Sequence, residues 1–343
     1  MQALVLEEYR NLQLRTVPKP KAGAREVLVR VKACGICGSD VHGYDGSTGR
    51  RIPPLIMGHE AAGVVAMVGG DVTTYQVGDR VTFDSTVSCG HCLFCRTDAA
   101  NLCDSGQVLG VSCTDYRRNG AFAEYVTVPE HILCRLPDGF PFTHAALIEA
   151  VSIAVHAAKI TDIRSGSTAA IIGTGMIGLL VLQVFRHFGC KKLLAVDVDK
   201  ERLALARRFG ADEVILGTGP ETVSLLQAST NGHGPEIVAE VEGTQGSILT
   251  AIESVRRGGT VTLIGNLAPK VEIPLQTIVT RQLRLLGSCA SAGEYPESIE
   301  LMRSGSVNVD KLISAVAPLN EGPEWFRRLH AREKGLMKVI LQP

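Results

Sequence analysis

Hydrophobic and polar positions follow two different patterns along the chain, and the pattern changes near residue 150. Before that point, short β-branched runs are separated by Gly, Pro and Asp, as in EVLVRVKA at 26–33, GVVAMVG at 63–69, DRVTF at 79–83 and AEYVTV at 123–128. Runs of this length and composition, bounded by turn residues, predict β-strands. Residues 1–150 are therefore predicted to form a mainly β domain.

After residue 150, strand-like runs alternate with segments of helical periodicity. AAII, LLAVD, EIVAEV and TVTLIG predict strands, whereas KERLALARRFGA and GSILTAIESVRRGG carry apolar residues at helical spacing. Such alternation implies βαβ units around a parallel sheet. We therefore predict an α/β protein, with a second domain at 151–286. A C-terminal segment at 287–343 ends in a helix, EGPEWFRRLHAREKG, and a strand, MKVILQP.

The composition indicates an ordinary globular protein. The 343 residues are 45% hydrophobic, enough to fill two cores, and the formal net charge is zero. No basic patch marks a surface for nucleic acid or an anionic membrane, so neither partner is expected. The apolar run AAIIGTGMIGLLVLQVF is interrupted by glycines and shorter than the ~20 residues of a membrane span. Glu7 and Glu8 stand where a secretory signal would be apolar, so a cytoplasmic location is expected.

Four cysteines are clustered in CGHCLFCRTDAANLC, at Cys89, Cys92, Cys95 and Cys103. In a reducing compartment, clustered cysteines with CxxC spacing indicate a metal site rather than disulfides. Four thiolates complete a tetrahedral shell around Zn²⁺ and leave no position for a substrate, so we expect a structural zinc site. The alternative is a [4Fe–4S] cluster, which four cysteines can also hold.

A glycine-rich turn follows the first predicted strand of the second domain. Gly173, Gly175 and Gly178 form a GxGxxG pattern between a strand and a helix, the context in which it binds a dinucleotide pyrophosphate. Asp197 ends the next predicted strand, where an acid can accept hydrogen bonds from the adenosine ribose. Because this carboxylate would repel the 2′-phosphate of NADP, NAD is predicted, and the nearby Arg202 leaves use of both cofactors open. The predicted nucleotide-binding residues are Gly173, Gly175, Met176, Ile177, Gly178, Asp197, Arg202 and Gly265.

Further metal-binding residue types lie outside the four-cysteine cluster. VKACGICGSDVHG at 31–43 contains Cys37, and PPLIMGHEAAG at 53–63 contains His59 and Glu60. Thiolate, imidazole and carboxylate groups all bind zinc, so these residues suggest a second zinc site. Cys34 forms a CxxC with Cys37 and is either redox-active or simply buried.

In their order and spacing these motifs resemble the zinc-dependent medium-chain dehydrogenase/reductase family, which includes alcohol, polyol and threonine dehydrogenases. The resemblance covers essentially the whole chain and is carried by CGxCGSDxH at 34–42, GHExxGxxxxxG at 58–69, the four cysteines and the glycine fingerprint. It implies a GroES-like catalytic domain, completed by 287–343, and a Rossmann NAD-binding domain. It also implies a homodimer or homotetramer.

The resemblance further implies roles for individual residues. Cys37 and His59 would bind the catalytic zinc. Glu149, in ALIEAVSIAVHA, would be the third protein ligand. Glu60 would either bind the zinc as well or exchange with Glu149 at the metal. Asp40 would accept a hydrogen bond from His59 and fix the orientation of its ring.

The reaction implied by the resemblance is oxidation of a secondary alcohol, such as a polyol or sugar alcohol, with hydride transfer to NAD⁺. Ser39 and the nicotinamide ribose, followed by His42, would carry the alcohol proton away. The arginine pairs Arg50–Arg51 and Arg117–Arg118 raise a polyol phosphate as an alternative substrate, and threonine is another. A nucleotide-binding structural protein without zinc chemistry is the alternative from a different class.

Overall fold

The computed structural model describes residues 1–343 and contains twenty strands and eleven α-helices. The strands are β1 (Gln2–Glu8), β2 (Asn11–Thr16), β3 (Glu26–Gly35), β4 (Leu55–Ile56), β5 (Glu60–Val68), β6 (Arg80–Phe83), β7 (Thr86–Val87), β8 (Gln107–Val108), β9 (Val111–Ser112), β10 (Arg117–Arg118), β11 (Tyr125–Pro129), β12 (Leu133–Arg135), β13 (Thr168–Ile172), β14 (Lys192–Asp197), β15 (Glu213–Leu216), β16 (Ile237–Glu240), β17 (Thr260–Leu263), β18 (Arg284–Gly287), β19 (Ile313–Pro318) and β20 (Lys338–Gln342). The helices are α1 (Gly38–Tyr44), α2 (Leu93–Arg96), α3 (Phe142–Ala145), α4 (Ile148–Ile160), α5 (Met176–His187), α6 (Lys200–Arg208), α7 (Pro220–Ala228), α8 (Gln245–Ser254), α9 (Leu275–Thr280), α10 (Tyr295–Arg303) and α11 (Gly322–His330).

The chain folds into two compact units. The first comprises Met1–Glu149, Tyr295–Arg303 and Val309–Pro343, and the second comprises Ala150–Glu294 and Ser304–Asn308. The predicted domain change at residue 150 lies next to the first of these boundaries. Most of the predicted C-terminal segment at 287–343 belongs to the first unit, while its residues up to Glu294 and the stretch Ser304–Asn308 belong to the second.

The first unit is mainly β, as the short β-branched runs predicted. Its largest sheet has the order β12-β6-β5-β3-β20-β19, with β11 also paired to β3. Most positions of β3 are buried because elements cover both of its faces. The largest fully buried side chains of the first unit include Leu28, Phe83, Phe122 and Phe326.

Strand β3 brings distant motifs to one point. Its last residue, Gly35, lies opposite Glu60, the first residue of β5, in antiparallel register. Gly35 also pairs with Ile340 of β20, a strand that begins at Lys338. Because residues opposite one another in antiparallel strands are close neighbours, the CGxCGSDxH and GHE motifs begin side by side, with the start of β20 next to them.

The second unit is built on a six-stranded parallel sheet in the order β15-β14-β13-β16-β17-β18. The chain first adds strands on one side of β13 and then returns to add β16, β17 and β18 on the other side. Ligands of such sheets bind at the carboxyl ends of the strands where the order reverses. This arrangement confirms the predicted Rossmann fold and places the glycine-rich turn after β13 at that position.

No helix is both long enough and apolar enough to span a membrane. The apolar run AAIIGTGMIGLLVLQVF divides into strand β13, the glycine turn and helix α5.

Candidate active site and metal centres

Cys37, His59 and Glu60 lie close enough to share one metal ion. Their ligand atoms all lie within 4.8 Å of one another. Cys37 directly precedes α1, while His59 and Glu60 stand at the start of β5, so the pairing of β3 with β5 brings them together. His59 and Glu60 are only 5% and 1% exposed. A buried carboxylate beside a thiol and an imidazole is stabilised by a cation, and this donor set suits zinc.

Glu60 also forms a buried ion pair with Lys338. The Lys338 ammonium donates to Glu60 Oε2 and to the carbonyl oxygen of Ile36, the latter at 3.1 Å. Burial lowers the pKa of Lys338, but the charges of Glu60 and Cys37 outweigh this effect and raise it. Lys338 is therefore charged. The second carboxylate oxygen, Glu60 Oε1, is buried and has no hydrogen-bond partner, which leaves it available to a metal.

Gly35 makes room for this ion pair. A Cβ atom at Gly35 would overlap Glu60 Oε2 and would lie 3.4 Å from Cδ of Lys338. The glycine of the CGxC motif is thus explained by the close approach of two neighbouring strands.

Glu149 lies beside the three-residue group rather than within it. It is half-buried in the first turn of α4, and the group that meets the 4.8 Å distance contains Glu60 and not Glu149. Burial raises the pKa of Glu149 to about 7, and the charge of Glu60 adds to this shift, while His59 and Lys338 act in the opposite direction. These charge interactions place Glu149 near the cluster as a second carboxylate.

Asp40 contacts both Cys37 and His59 through its carboxylate. It is fully buried, its Oδ2 accepts from the Cys37 N–H at 3.3 Å, and its Oδ1 lies 3.3 Å from both His59 Nδ1 and Arg51 Nη2. Burial raises the pKa of Asp40, but His59 and Arg51 together lower it to about 2. Asp40 is therefore a carboxylate, and because it faces Nδ1, the Nε2 atom of His59 is left for a metal.

The same contact changes the protonation of His59. Burial lowers the pKa of His59, but the Asp40 carboxylate and Cys37 raise it well above its ordinary value. The Asp40 carboxylate thus favours the protonated imidazole, and a metal at this site competes with that proton.

Ser39 and His42 lie three residues apart on α1, and side chains at this spacing neighbour each other on a helix surface. Ser39 is exposed and His42 is half-buried. The Ser39 Oγ accepts a hydrogen bond from Arg51 Nη2 at 3.4 Å.

Cys34 does not belong to the metal-ligand group. It is fully buried, and its Sγ would be 2.9 Å from a Cβ placed on Gly58. Burial raises the pKa of this thiol well above its ordinary value. The structure thus favours a buried cysteine over a redox-active one.

The four clustered cysteines bring their sulfur atoms together, again within 4.8 Å. Cys92 Sγ lies 3.5 Å from Cys95 Sγ, which lies 3.9 Å from Cys89 Sγ. Tetrahedral ligands bound to zinc at ~2.3 Å would be separated by about 3.8 Å, so the sulfurs are already arranged for it. The backbone N–H groups of Cys95 and Asp104 lower the pKa of Cys92 to about 6 and so favour a thiolate.

The glycine-rich turn has the geometry that its pattern requires. Gly173 has a φ of +91°, which glycine adopts without strain. A Cβ at Gly178 would overlap the carbonyl oxygen of Gly173, so only glycine lets α5 approach the turn this closely. Met176 and Ile177 form the first turn of α5 and are half-buried.

Asp197 holds this turn in place. Its Oδ2 accepts from the Thr174 N–H at 2.7 Å and from Thr174 Oγ1 at 2.9 Å, and its Oδ1 accepts from the Asp199 N–H at 2.9 Å. Asp197 is 3% exposed. The predicted ribose-binding acid therefore also anchors the loop, a role that the sequence pattern did not indicate.

Other predicted nucleotide-binding residues surround the same turn. Arg202 is exposed, and its Nη1 lies 3.9 Å from a Cβ placed on Gly175. Gly265 follows β17 and closely approaches the backbone of Glu242. The Cγ of Glu242 lies 2.9 Å from a Cβ placed on Gly173. Sequence patterns did not point to this second acid at the turn.

The two arginine pairs lie on neighbouring segments, since Arg51 forms a β-bridge with Ser112 and Ser112 pairs with Arg117, but several of their side chains have partners within the protein. Arg51 is 5% exposed, and its guanidinium contacts Asp40, Ser39 and the carbonyl oxygen of Arg50. Arg118 forms an ion pair with Glu26 at 3.3 Å. The side chains offered as phosphate ligands are therefore largely occupied within the protein.

Comparison with known proteins gives consistent matches. Residues 23–138 match the alcohol dehydrogenase GroES-like domain, and residues 177–304 match the zinc-binding dehydrogenase domain. Sorbitol dehydrogenase from Bacillus subtilis is 34% identical, with 100% of this chain and 97% of the relative aligned. D-xylulose reductase A from Aspergillus oryzae is 33% identical, over 98% of this chain and 96% of the relative. A Sinorhizobium meliloti protein, described as a zinc-binding dehydrogenase and solved bound to NADP, superposes with a TM-score of 0.90, 32% identity, and coverage of 100% and 99%.

Proposed function

The chain belongs to the zinc-binding alcohol dehydrogenase family, and we propose that it oxidises a secondary alcohol of the polyol class, with NAD⁺ as hydride acceptor, at a zinc ion held by Cys37, His59 and a carboxylate. The observation that carries this proposal is the meeting of the Cys37, His59 and Glu60 ligand atoms within 4.8 Å. The relatives named for sorbitol and xylulose support a polyol as the substrate class.

The donor set fits a catalytic zinc. A thiolate, an imidazole and a carboxylate provide three protein ligands and leave one position for the substrate. The buried, unpartnered Glu60 Oε1 supports the fit, because such an atom normally has a partner. We assign Glu149 as the third ligand, as the family resemblance implies, and Glu60 as the carboxylate that exchanges with it at the metal, because Lys338 holds only Oε2 of Glu60 and leaves Oε1 available. A bound zinc would act as a Lewis acid on the substrate hydroxyl.

The chain's own residues prepare the site. Asp40 orients His59, and Lys338 balances one of the two nearby carboxylate charges. Ser39, on the exposed side of α1, accepts the proton released by the alcohol and passes it toward His42. Proton removal is thus assigned to side chains one helical turn apart.

We assign a second, structural zinc to Cys89, Cys92, Cys95 and Cys103. The sulfur separations of 3.5 and 3.9 Å suit four ligands on one small ion. A four-iron cluster places each thiolate on a different iron and so requires a wider arrangement. Helix α2 of this segment buries no residue, so metal binding would supply much of its folding free energy.

NAD is the proposed cofactor because a carboxylate stands where the 2′-phosphate of NADP would bind. Asp197 ends β14, next to the glycine turn that follows β13. The relative bound to NADP and the exposed Arg202 keep NADP as the second candidate.

The test is NADH formation by zinc-loaded protein over a panel of sugar alcohols, their phosphates, vicinal diols, threonine and simple alcohols. We expect turnover of polyols that is lost in Cys37→Ser and kept in Cys113→Ser, a matched control outside both cysteine sites. Full activity of Cys37→Ser would contradict the zinc site. Zinc-loaded protein that is inactive on polyols but active on another class would contradict the substrate class.

A further inference from the structure

We propose that Arg51 is a positioning residue of the candidate active site. It fixes the Asp40 carboxylate, which orients Cys37 and His59, and it sets the direction of the Ser39 hydroxyl. The inference rests on the proposed function, because it takes Cys37 and His59 as metal ligands.

Arg51 reaches the site from the loop between α1 and β4. Its side chain passes beneath α1 at Gly43, where a Cβ would overlap Arg51 Cγ. The guanidinium is then enclosed, with the whole residue 5% exposed, and lies 3.3 Å from Asp40 Oδ1 and 3.4 Å from Ser39 Oγ. Burying a guanidinium is unfavourable unless it is paired with an opposite charge. Here that charge is Asp40.

Arg51 is the permanent cation beside Asp40. The guanidinium keeps its proton in proteins, and Arg51 Nη2 lies 3.3 Å from Oδ1 of this fully buried carboxylate. It holds Asp40 in the position from which Asp40 accepts from the Cys37 N–H and faces His59 Nδ1.

The contact with Ser39 has a direction. A guanidinium can only donate hydrogen bonds and keeps its protons in proteins. Ser39 Oγ therefore accepts from Arg51, and its own O–H must point elsewhere. Arg51 thus fixes one lone pair of the hydroxyl that is proposed to receive the substrate proton, and leaves the other lone pair and the O–H for proton transfer.

Arg50 provides a matched control. It has the same side chain and is adjacent in sequence, but it is exposed and its guanidinium donates to Tyr116 Oη at 3.4 Å. A change that acts only through loss of positive charge in this loop would affect both residues. A change that acts through Asp40 and Ser39 would affect Arg51 alone.

The experiment compares wild-type protein with Arg51→Met, Arg51→Lys and Arg50→Met. Zinc affinity of the Cys37–His59 site is measured by chelator competition, and kcat and KM are measured on the polyol turned over by wild type. Arg51→Met is expected to lower zinc affinity or kcat by about 10–100-fold, the usual effect of removing a group that orients a metal ligand. Arg51→Lys, which keeps the charge, should recover most of the affinity but not kcat, and Arg50→Met should match wild type.

If Arg51→Met keeps the zinc affinity and kcat of the wild-type protein, even with a lowered melting temperature, the inference is overturned. Arg51 is then a packing residue only. If Arg51→Met does not fold, Arg51→Gln is measured instead, with the same expected loss and the same overturning result. Chelator competition needs no substrate. A wrong substrate class would therefore appear as missing turnover in wild type, and a wrong role for Arg51 as unchanged metal affinity in the variants.

Discussion

Glu60 and Lys338 are separated by 278 positions in the sequence and form an ion pair in which neither side chain is more than 1% exposed. Removing one partner of a buried pair leaves the other charge uncompensated, at about 3–5 kcal/mol. Lys338→Met is therefore expected to destabilise the metal-free protein by about that amount, and to destabilise the zinc-loaded protein less, because the metal can bind Glu60. Thermal unfolding with and without zinc measures both effects.

The double variant Lys338→Met/Glu60→Gln is the control for this prediction. It removes both charges and should recover part of the lost stability. Equal destabilisation with and without zinc would show that Glu60 does not reach the metal.

Gly35→Ala should lower stability, because its Cβ would overlap Glu60 Oε2. Forcing an extra methyl group into a packed site is destabilising by about 1–3 kcal/mol. Gly38→Ala is the matched control, since no atom lies within 4 Å of its added Cβ. Comparable melting temperatures for the two variants would mean that the Glu60–Lys338 pair can shift without loss.

Cys95→Ser should reduce the zinc content from two ions to one ion per chain and lower the melting temperature. Its sulfur lies 3.5 and 3.9 Å from two of the other cysteines, so its loss opens the proposed tetrahedral shell. Elemental analysis gives the zinc count, with Cys113→Ser as the control. Iron in place of zinc in the purified protein would refute the assignment of this site.

Asp197→Ala should weaken NAD binding by about tenfold or more, since hydrogen bonds to a charged group contribute about 1.5–3 kcal/mol each. It should also narrow the preference for NAD over NADP. Cofactor affinities measured by calorimetry on the substrate-free protein give both values. Asp212→Ala, which removes an ion pair with Arg186 beside the start of β14, is expected to reduce stability without changing the preference. An unchanged NAD to NADP ratio in Asp197→Ala would argue against its contact with the ribose.

Asp45 and His330 join α1 to α11, with Asp45 Oδ2 lying 3.0 Å from His330 Nε2. Partial burial raises the pKa of Asp45, but hydrogen bonds from Ser47 and His330 lower it to about 2. A carboxyl whose pKa is lowered on folding stabilises the protein above its unfolded pKa, and this contribution is lost as the pH falls through the folded pKa. Asp45→Asn should therefore destabilise the protein at pH 7 by about 1 kcal/mol, less than the full pKa shift would give, because solvent screens this partly exposed pair.

The difference between wild type and Asp45→Asn should disappear as the pH falls from about 4 to about 2. Denaturation at several pH values measures it. A difference that persists unchanged at pH 2 would mean that packing, not charge, accounts for the effect.

Features encoded within a short stretch of sequence could be predicted. The alternation of strands and helices gave the Rossmann sheet, and the spacing of Cys89, Cys92 and Cys95 is local enough to place their sulfurs in one loop. The glycines of the turn after β13 were understood from their pattern because the required backbone geometry is also local.

The surroundings of the candidate active site could not be predicted in the same way. Lys338 meets Glu60 only because β3 pairs with both β5 and β20, and no periodicity in the sequence specifies that pairing. A lysine directly before the apolar run VIL of this strand was the one available sign. Arg51 was placed in a phosphate-binding pair because its charge is visible in the sequence, whereas its burial beneath α1 is not.

The position of β20 affects how the protein is made. This strand follows the second unit in the sequence, yet it lies inside the main sheet of the first unit, between β3 and the edge strand β19. During synthesis, the second unit emerges almost complete before Lys338 has been translated. Until then Glu60 has no ammonium partner, and the end of β3 at Cys34 and Gly35 lacks a pairing strand on one side, since β11 covers only its first half. The first unit is thus completed by a strand that follows the whole second unit in the sequence.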